Sequence, residues 1–145
     1  MNAANTLLRA IQNKLILTSN TFEDLNLDDA LAGRDDLDFD EKWVRLNDKV
    51  KDLELKEAEI QTLDRLREVA FRTTYEYAPN SELPAYVSDD FELIAMGVAS
   101  GRQDDFLAAL LEAYIEGRFP CGPIASSGKS IEALMETLQR KEGER

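Results

Sequence analysis

The chain has 145 residues, 43% of them hydrophobic, and carries 17 Lys plus Arg against 29 Asp plus Glu with no His, a net charge of −12. That length fits one domain able to bury a core without disulfide or metal staples, and the apolar share argues against disorder. The lack of His excludes Ser-His-Asp and Cys-His catalysis and every His-containing zinc site, while the single Cys121 excludes an intramolecular disulfide and a Cys-rich metal site.

In chain order, Leu7, Leu8, Ile11 and Leu15 recur at helical intervals, with Asn5 or Thr6 as the expected N-cap and an end expected near Asn20. Arg9 and Lys14 interrupt this apolar stretch, so no secretory signal is read there. Residues 23–41 follow, with nine acids and one base, Arg34, for a charge of −8. Leu25, Leu27, Leu31, Leu37 and Phe39 alternate with these acids, which predicts a short helix over Asp28 to Ala32 and then an irregular acidic loop.

No Gly or Pro occurs from Asp40 to Tyr77, and good helix formers dominate, so the reading is one long central helix or two nearly continuous ones. A helix of that length spans about 55 Å. Its apolar positions from Trp43 to Tyr77 recur at a spacing near 3.5, which favours left-handed packing against a neighbour. Glu57 occupies a position where that stripe wants an apolar residue, so a bend or an exposed turn is expected nearby.

Residues 75–86 hold Pro79, Pro84 and the tyrosines Tyr75, Tyr77 and Tyr86, and read as a loop. A helical pair over about 88–118 comes next. Ser88-Asp89-Asp90-Phe91 leads to Gly101-Arg102, and Gln103-Asp104-Asp105-Phe106 leads to Gly117-Arg118, as if acids cap each start and Gly-Arg closes each end. Asp28-Asp29-Ala30-Leu31-Ala32-Gly33-Arg34 is a shortened echo. A last helix is expected over about 127–140, with fraying over 141–145. The most apolar run, Leu93 to Ala99, has seven residues against the roughly 20 that a membrane span needs. The expected fold class is therefore all-α: a single-domain bundle of about five helices over residues 1–145.

Three motifs fail on spacing or company. Gly122 to Ser130 precedes a helix as a P-loop would, but the pattern's first Gly falls on Pro123 and no buried strand comes before it; a Ser-rich helix cap explains the residues. Asp36, Asp38 and Asp40 alternate like a calcium loop, but the sixth and twelfth positions are Glu41 and Asn47 instead of Gly and Glu. Cys121 has no His partner and reads as a structural thiol. No catalytic residue, metal ligand or cofactor is assigned, and the chain is expected not to be an enzyme.

The features left are the acidic surface and the aromatic residues. They point to a cytoplasmic protein-binding module, an inhibitor or immunity protein that occludes a basic partner such as a nuclease toxin. Asp35, Asp36, Asp38, Asp40, Glu41, Tyr75, Tyr77 and Tyr86 are the expected partner-binding residues, with Trp43 nearby. Direct binding to nucleic acid or anionic membrane is not expected, because like charges repel. The alternative is a scaffold or adaptor that forms a homodimer through the long helix; a DNA mimic is the third reading, disfavoured because Lys42 to Tyr77 is charge-balanced.

Overall fold

The computed structural model describes residues 2–143. Among these the chain forms eight helices and no strand: α1 (Asn2–Gln12), α2 (Ser19–Phe22), α3 (Leu27–Arg34), α4 (Leu37–Val50), α5 (Glu57–Tyr77), α6 (Glu82–Ala99), α7 (Asp105–Ile115) and α8 (Ile131–Gly143). The all-α class holds, with eight helices in place of about five.

The expected long central helix is two helices. Residues 51–56 are non-helical, and Glu57 opens α5, so the break lies beside the residue that spoils the apolar stripe. Leu53 and Leu55 alternate with exposed Asp52, Glu54 and Lys56 and pack half-buried against the core, a period-two pattern that extended chain satisfies and helix does not. The Glu59 carboxylate then accepts the Lys56 N–H at 2.9 Å and caps the new helix.

The central element is instead α6. Leu83, Val87, Phe91 and Ile94 are fully buried on one side, and Leu93, Ala95, Met96 and Gly97 are buried around the rest of its second half. It packs along α5 and touches α1, α4 and α7, while α8 closes over α1 and α7. A Cβ on Gly97 would stand 2.7 Å from Leu107 Cδ2, so the glycine lets α6 and α7 approach closely. Two ring pairs lock α7 in place, Phe39 with Phe106 at 5.3 Å and Phe91 with Tyr114 at 4.8 Å.

Helix α6 starts within the expected loop. Pro84 lies in its first turn, where a missing N–H costs nothing, and Asn80 Oδ1 accepts the Glu82 and Leu83 N–H groups at 3.0 and 2.8 Å. Tyr75 and Tyr77 consequently end α5 and Tyr86 belongs to α6. The acidic loop expected before Asp40 is likewise helical, because only Asp35 and Asp36 separate α3 from α4. At the carboxyl end, Ser130 Oγ accepts the Ala133 N–H and α8 stays helical to Gly143, with Glu142 bonded to Arg9; the remainder of the stretch expected to fray, residues 144–145, lies outside the described residues.

Helix α1 spans Asn2–Gln12, so Asn5 and Thr6 lie inside it and it stops well short of Asn20. Its end is a Schellman motif: the Leu15 N–H reaches Ala10 O at 2.9 Å and the Lys14 N–H reaches Ile11 O at 3.1 Å. Gly117 makes the same turn after α7 at φ 76°, but after α1 the left-handed position is taken by Lys14 at φ 61°. An L residue there carries steric strain that Gly avoids. Lys14→Gly is therefore expected to raise stability by about 1 kcal/mol in urea unfolding, after allowing for the greater freedom of Gly in the unfolded chain.

Candidate functional site

The acidic segment folds into a corner. Asn26 accepts the Asp29 N–H to start α3, the Asp35 N–H returns to Ala32 O, and Asp36 turns extended so that its carboxylate accepts the Phe39 N–H at 3.1 Å and starts α4. Asp36 is thus half-buried and used as a cap. Asp35, Asp38, Asp40 and Glu41 stay exposed, with Asp38 paired to Lys42 at 3.0 Å.

Beneath this corner lies a buried ion pair. Arg34, expected to sit near the terminal carbonyls of its own helix, turns inward and donates two 2.7 Å bonds to the carboxylate of Asp90. Asp90 also accepts Trp43 Nε1–H at 2.9 Å and the Tyr114 hydroxyl at 2.6 Å, and Arg34 reaches Pro120 O at 3.4 Å. Both charges are inside, at 6% exposure for Arg34 and 0% for Asp90. Asp90 is therefore not a helix-starting cap as its sequence context predicts; it sits in mid-α6. Gly33 is also inside α3 and not at its end: its carbonyl accepts the Gly122 N–H at 2.8 Å, and a Cβ on it would stand 3.0 Å from Cys121 Cβ.

Three aromatic rings enclose the guanidinium, whose carbon lies 4.6, 4.8 and 5.4 Å from the ring centres of Phe39, Tyr86 and Phe119. Burial by itself would pull Arg34 down, but the charge and hydrogen bonds of Asp90 outweigh it and hold the guanidinium above its ordinary value. Burial, then the charge of Asp90, pushes the Tyr114 phenol well above its usual value. Burial also raises the Cys121 thiol, with Arg34 acting against it. Both Asp90 oxygens have two donors each, so this network is saturated and holds shape.

A pocket of about 200 Å3 opens beside it, between α4 and α6. The exposed carboxylates of Asp35 and Asp40 and the half-buried Asp89 line it, together with Trp43, Val44, Tyr86 and the buried Phe39 and Arg34. Burial raises the Asp89 carboxyl, opposed by Arg67, which bonds it at 2.8 Å and also bonds Glu92. Leu37, 76% exposed, and Val44, 45% exposed, stand on the same outer ridge of α4 as Glu41.

The structure therefore gathers Asp35, Asp40 and Tyr86 at one pocket, with Asp36 and Glu41 beside it; Asp38 is exposed but pairs with Lys42, on the side of α4 away from that pocket. It does not bring Tyr75 and Tyr77 there: Tyr77 stacks on Phe22 at 6.1 Å, and Tyr75 lines a shallow depression with Phe71, Arg72 and Glu76. Trp43, expected near the aromatic residues, lines the pocket with Tyr86, while Val44, Leu37, Asp89 and Arg34 complete the site and were not assigned to it from sequence. One signal was present, since a lone base among nine acids implies a specific partner. On the opposite side of α4, Lys42, Arg45 and Lys49 line a larger pocket of about 460 Å3 with Asp104 and Asp105, so the helix presents unlike charges on its two faces. Among the described residues no cluster of three or more His, Cys, Asp or Glu could hold a metal ion, and no helix is long and apolar enough to cross a membrane.

The family model described as Immunity protein PIM1 matches residues 6–121, most of the chain. No curated protein matches it. The matched stretch includes every member of the Arg34–Asp90 network and the whole pocket, and it stops before α8.

Asp90→Asn leaves Arg34 charged and uncompensated, and is expected to cost about 3–5 kcal/mol in urea unfolding. Replacing both charges, as Arg34→Met with Asp90→Leu, is expected to recover part of this but not all, because Trp43 and Tyr114 then lose their acceptor. The raised Tyr114 phenol sets an alkaline limit. Above about pH 10 a tyrosine ionises in the unfolded chain while Tyr114 stays protonated in the fold, so stability falls as pH rises from there, and Tyr114→Phe is expected to flatten that slope.

Proposed function

The chain belongs to the Immunity protein PIM1 family, and we propose that it neutralises its toxin by covering a basic surface with the corner where α3 meets α4. An immunity protein acts by binding a toxin; the basic character of the toxin is our reading. The observation that carries it is the exposure of Asp35, Asp38, Asp40 and Glu41 on one corner held rigid from below by Arg34 and Asp90. Opposite charge speeds encounter, and a rigid corner limits the ordering cost of binding.

A net charge of −12 repels polyanions and attracts a toxin whose own basic surface grips nucleic acid. Working in the cytoplasm beside such a toxin, the protein needs no chemistry of its own: occlusion suffices. Self-association is the second reading, favoured by Ile60, Phe71 and Tyr75, which remain exposed along α5.

The combined variant Asp35→Asn, Asp38→Asn, Asp40→Asn, Glu41→Gln leaves the Asp36 cap in place and removes four charges. Its association rate with the toxin at low salt is expected to fall by about tenfold or more, with a flatter salt dependence and loss of protection in co-expressing cells. Unchanged association and protection, with an unchanged circular dichroism spectrum, would sink the proposal.

A further inference from the structure

The acidic corner has a feature that general charge attraction does not require. Leu37, Glu41 and Val44 form one ridge of α4, and Leu37 is three-quarters in water although nothing in the fold uses it. An exposed apolar side chain at the edge of a pocket with aromatic walls has the composition of an interface centre, where solvent exclusion and aromatic contact carry the affinity.

The pocket next to it has a defined charge. Arg34 and Asp90 cancel one another inside, and Asp89 is shared with Arg67. Among the described residues, Asp35 and Asp40 make no ion pair, so the mouth carries two uncompensated carboxylates beside Trp43 and Tyr86. A cavity of about 200 Å3 holds one long side chain, too little for a helix or a nucleotide base with its sugar. A stem lying across the apolar walls, with its cation held at the mouth by Asp35 and Asp40, fits this arrangement.

We propose that the toxin seats one lysine or arginine side chain in the pocket between α4 and α6 while its apolar atoms cover Leu37 and Val44. This rests on the reading of the α3–α4 corner as the toxin-binding face, and it makes the pocket the centre of that face, with Glu41 as the steering rim. Neutralising the rim then slows arrival, whereas changes at Leu37 or Asp40 speed departure.

Trp43 is the only tryptophan, so its indole N–H resonance reports the pocket directly. Titration with N-acetyl-lysine methylamide and N-acetyl-arginine methylamide is expected to give a saturable shift for at least one of them, and none with the uncharged N-acetyl-norleucine methylamide. Asp40→Asn should weaken that binding by about fivefold, the scale of one exposed charge contact, and Asp48→Asn on the far end of α4 should leave it unchanged. An equal shift from the norleucine probe, no shift from either cation, or indifference to Asp40→Asn overturns the pocket.

With the toxin itself, Leu37→Ser should raise the dissociation rate by about tenfold without moving the thermal midpoint, because that side chain is already in water. If Leu37→Ser and Asp40→Asn hold the toxin like the wild type while the four-acid variant loses it, the corner is the binding face and the pocket is not its centre. If the four-acid variant still protects, the reading underneath has failed. A wild-type mass of two chains that falls to one in Leu37→Ser would give the ridge to a second copy and also overturn the inference.

Discussion

The ion pair between Arg34 and Asp90 is the constraint on which the rest of the structure depends. Withdrawing a guanidinium and a carboxylate from water costs several kcal/mol per ion, and a single contact would not offset it. Here the pair is bidentate, the carboxylate takes two further donors from Trp43 and Tyr114, and three rings face the guanidinium. These groups come from α3, α4, α6, α7 and the segment after α7, so satisfying the two charges of this pair fixes the relative placement of five pieces of chain. Asp90 can accept all its donors only when each piece is in position. A pair of this kind contributes more to uniqueness of the arrangement than to its total stability.

That arrangement gives the acidic segment its use. A stretch of −8 would repel itself and spread if left as a loop. Its one base is spent inside, anchoring the end of α3, and Asp36 caps α4, so the chain turns in two residues and the other acids are held outward. The buried acid and the exposed acids therefore have separate roles: Asp90 organises, while Asp35, Asp38, Asp40 and Glu41 supply the field. Lys42, Arg45 and Lys49 line the other side of α4 with Asp104 and Asp105, Lys42 pairing with Asp38 there, which leaves the ridge of Leu37, Glu41 and Val44 acidic and apolar.

Much of this was legible residue by residue. Helical spacing and the absence of a strand pattern specified an all-α chain, Gly101 and Gly117 marked the ends of α6 and α7 through their left-handed conformation, and Asp104 capped α7 by accepting the Leu107 N–H at 2.9 Å. The same local logic misread Asp90 and Arg34. Both stood in contexts that imitate a helix start and a helix end, and their real partners are each other, 56 residues apart. Periodicity has no term for such a pairing. The break at 51–56 was signalled only by Glu57 on the apolar stripe, since no Gly or Pro marks it; its extended form was not, and it arises because extended chain lets both Leu53 and Leu55 reach the core. The tyrosines were grouped by closeness in sequence, but Pro84 in the first turn of α6 sends Tyr86 to the pocket while Tyr75 and Tyr77 remain on α5.

The sequence by itself determined the helical class, the strong negative charge and its concentration in residues 23–41, because these depend on composition and on spacing within a few turns. Tertiary structure alone decided which helix is central, which acid is buried, and which acids and aromatics share a pocket. Those outcomes follow from desolvation and packing between segments far apart in the chain, where a charge goes inside only if several distant donors meet it there.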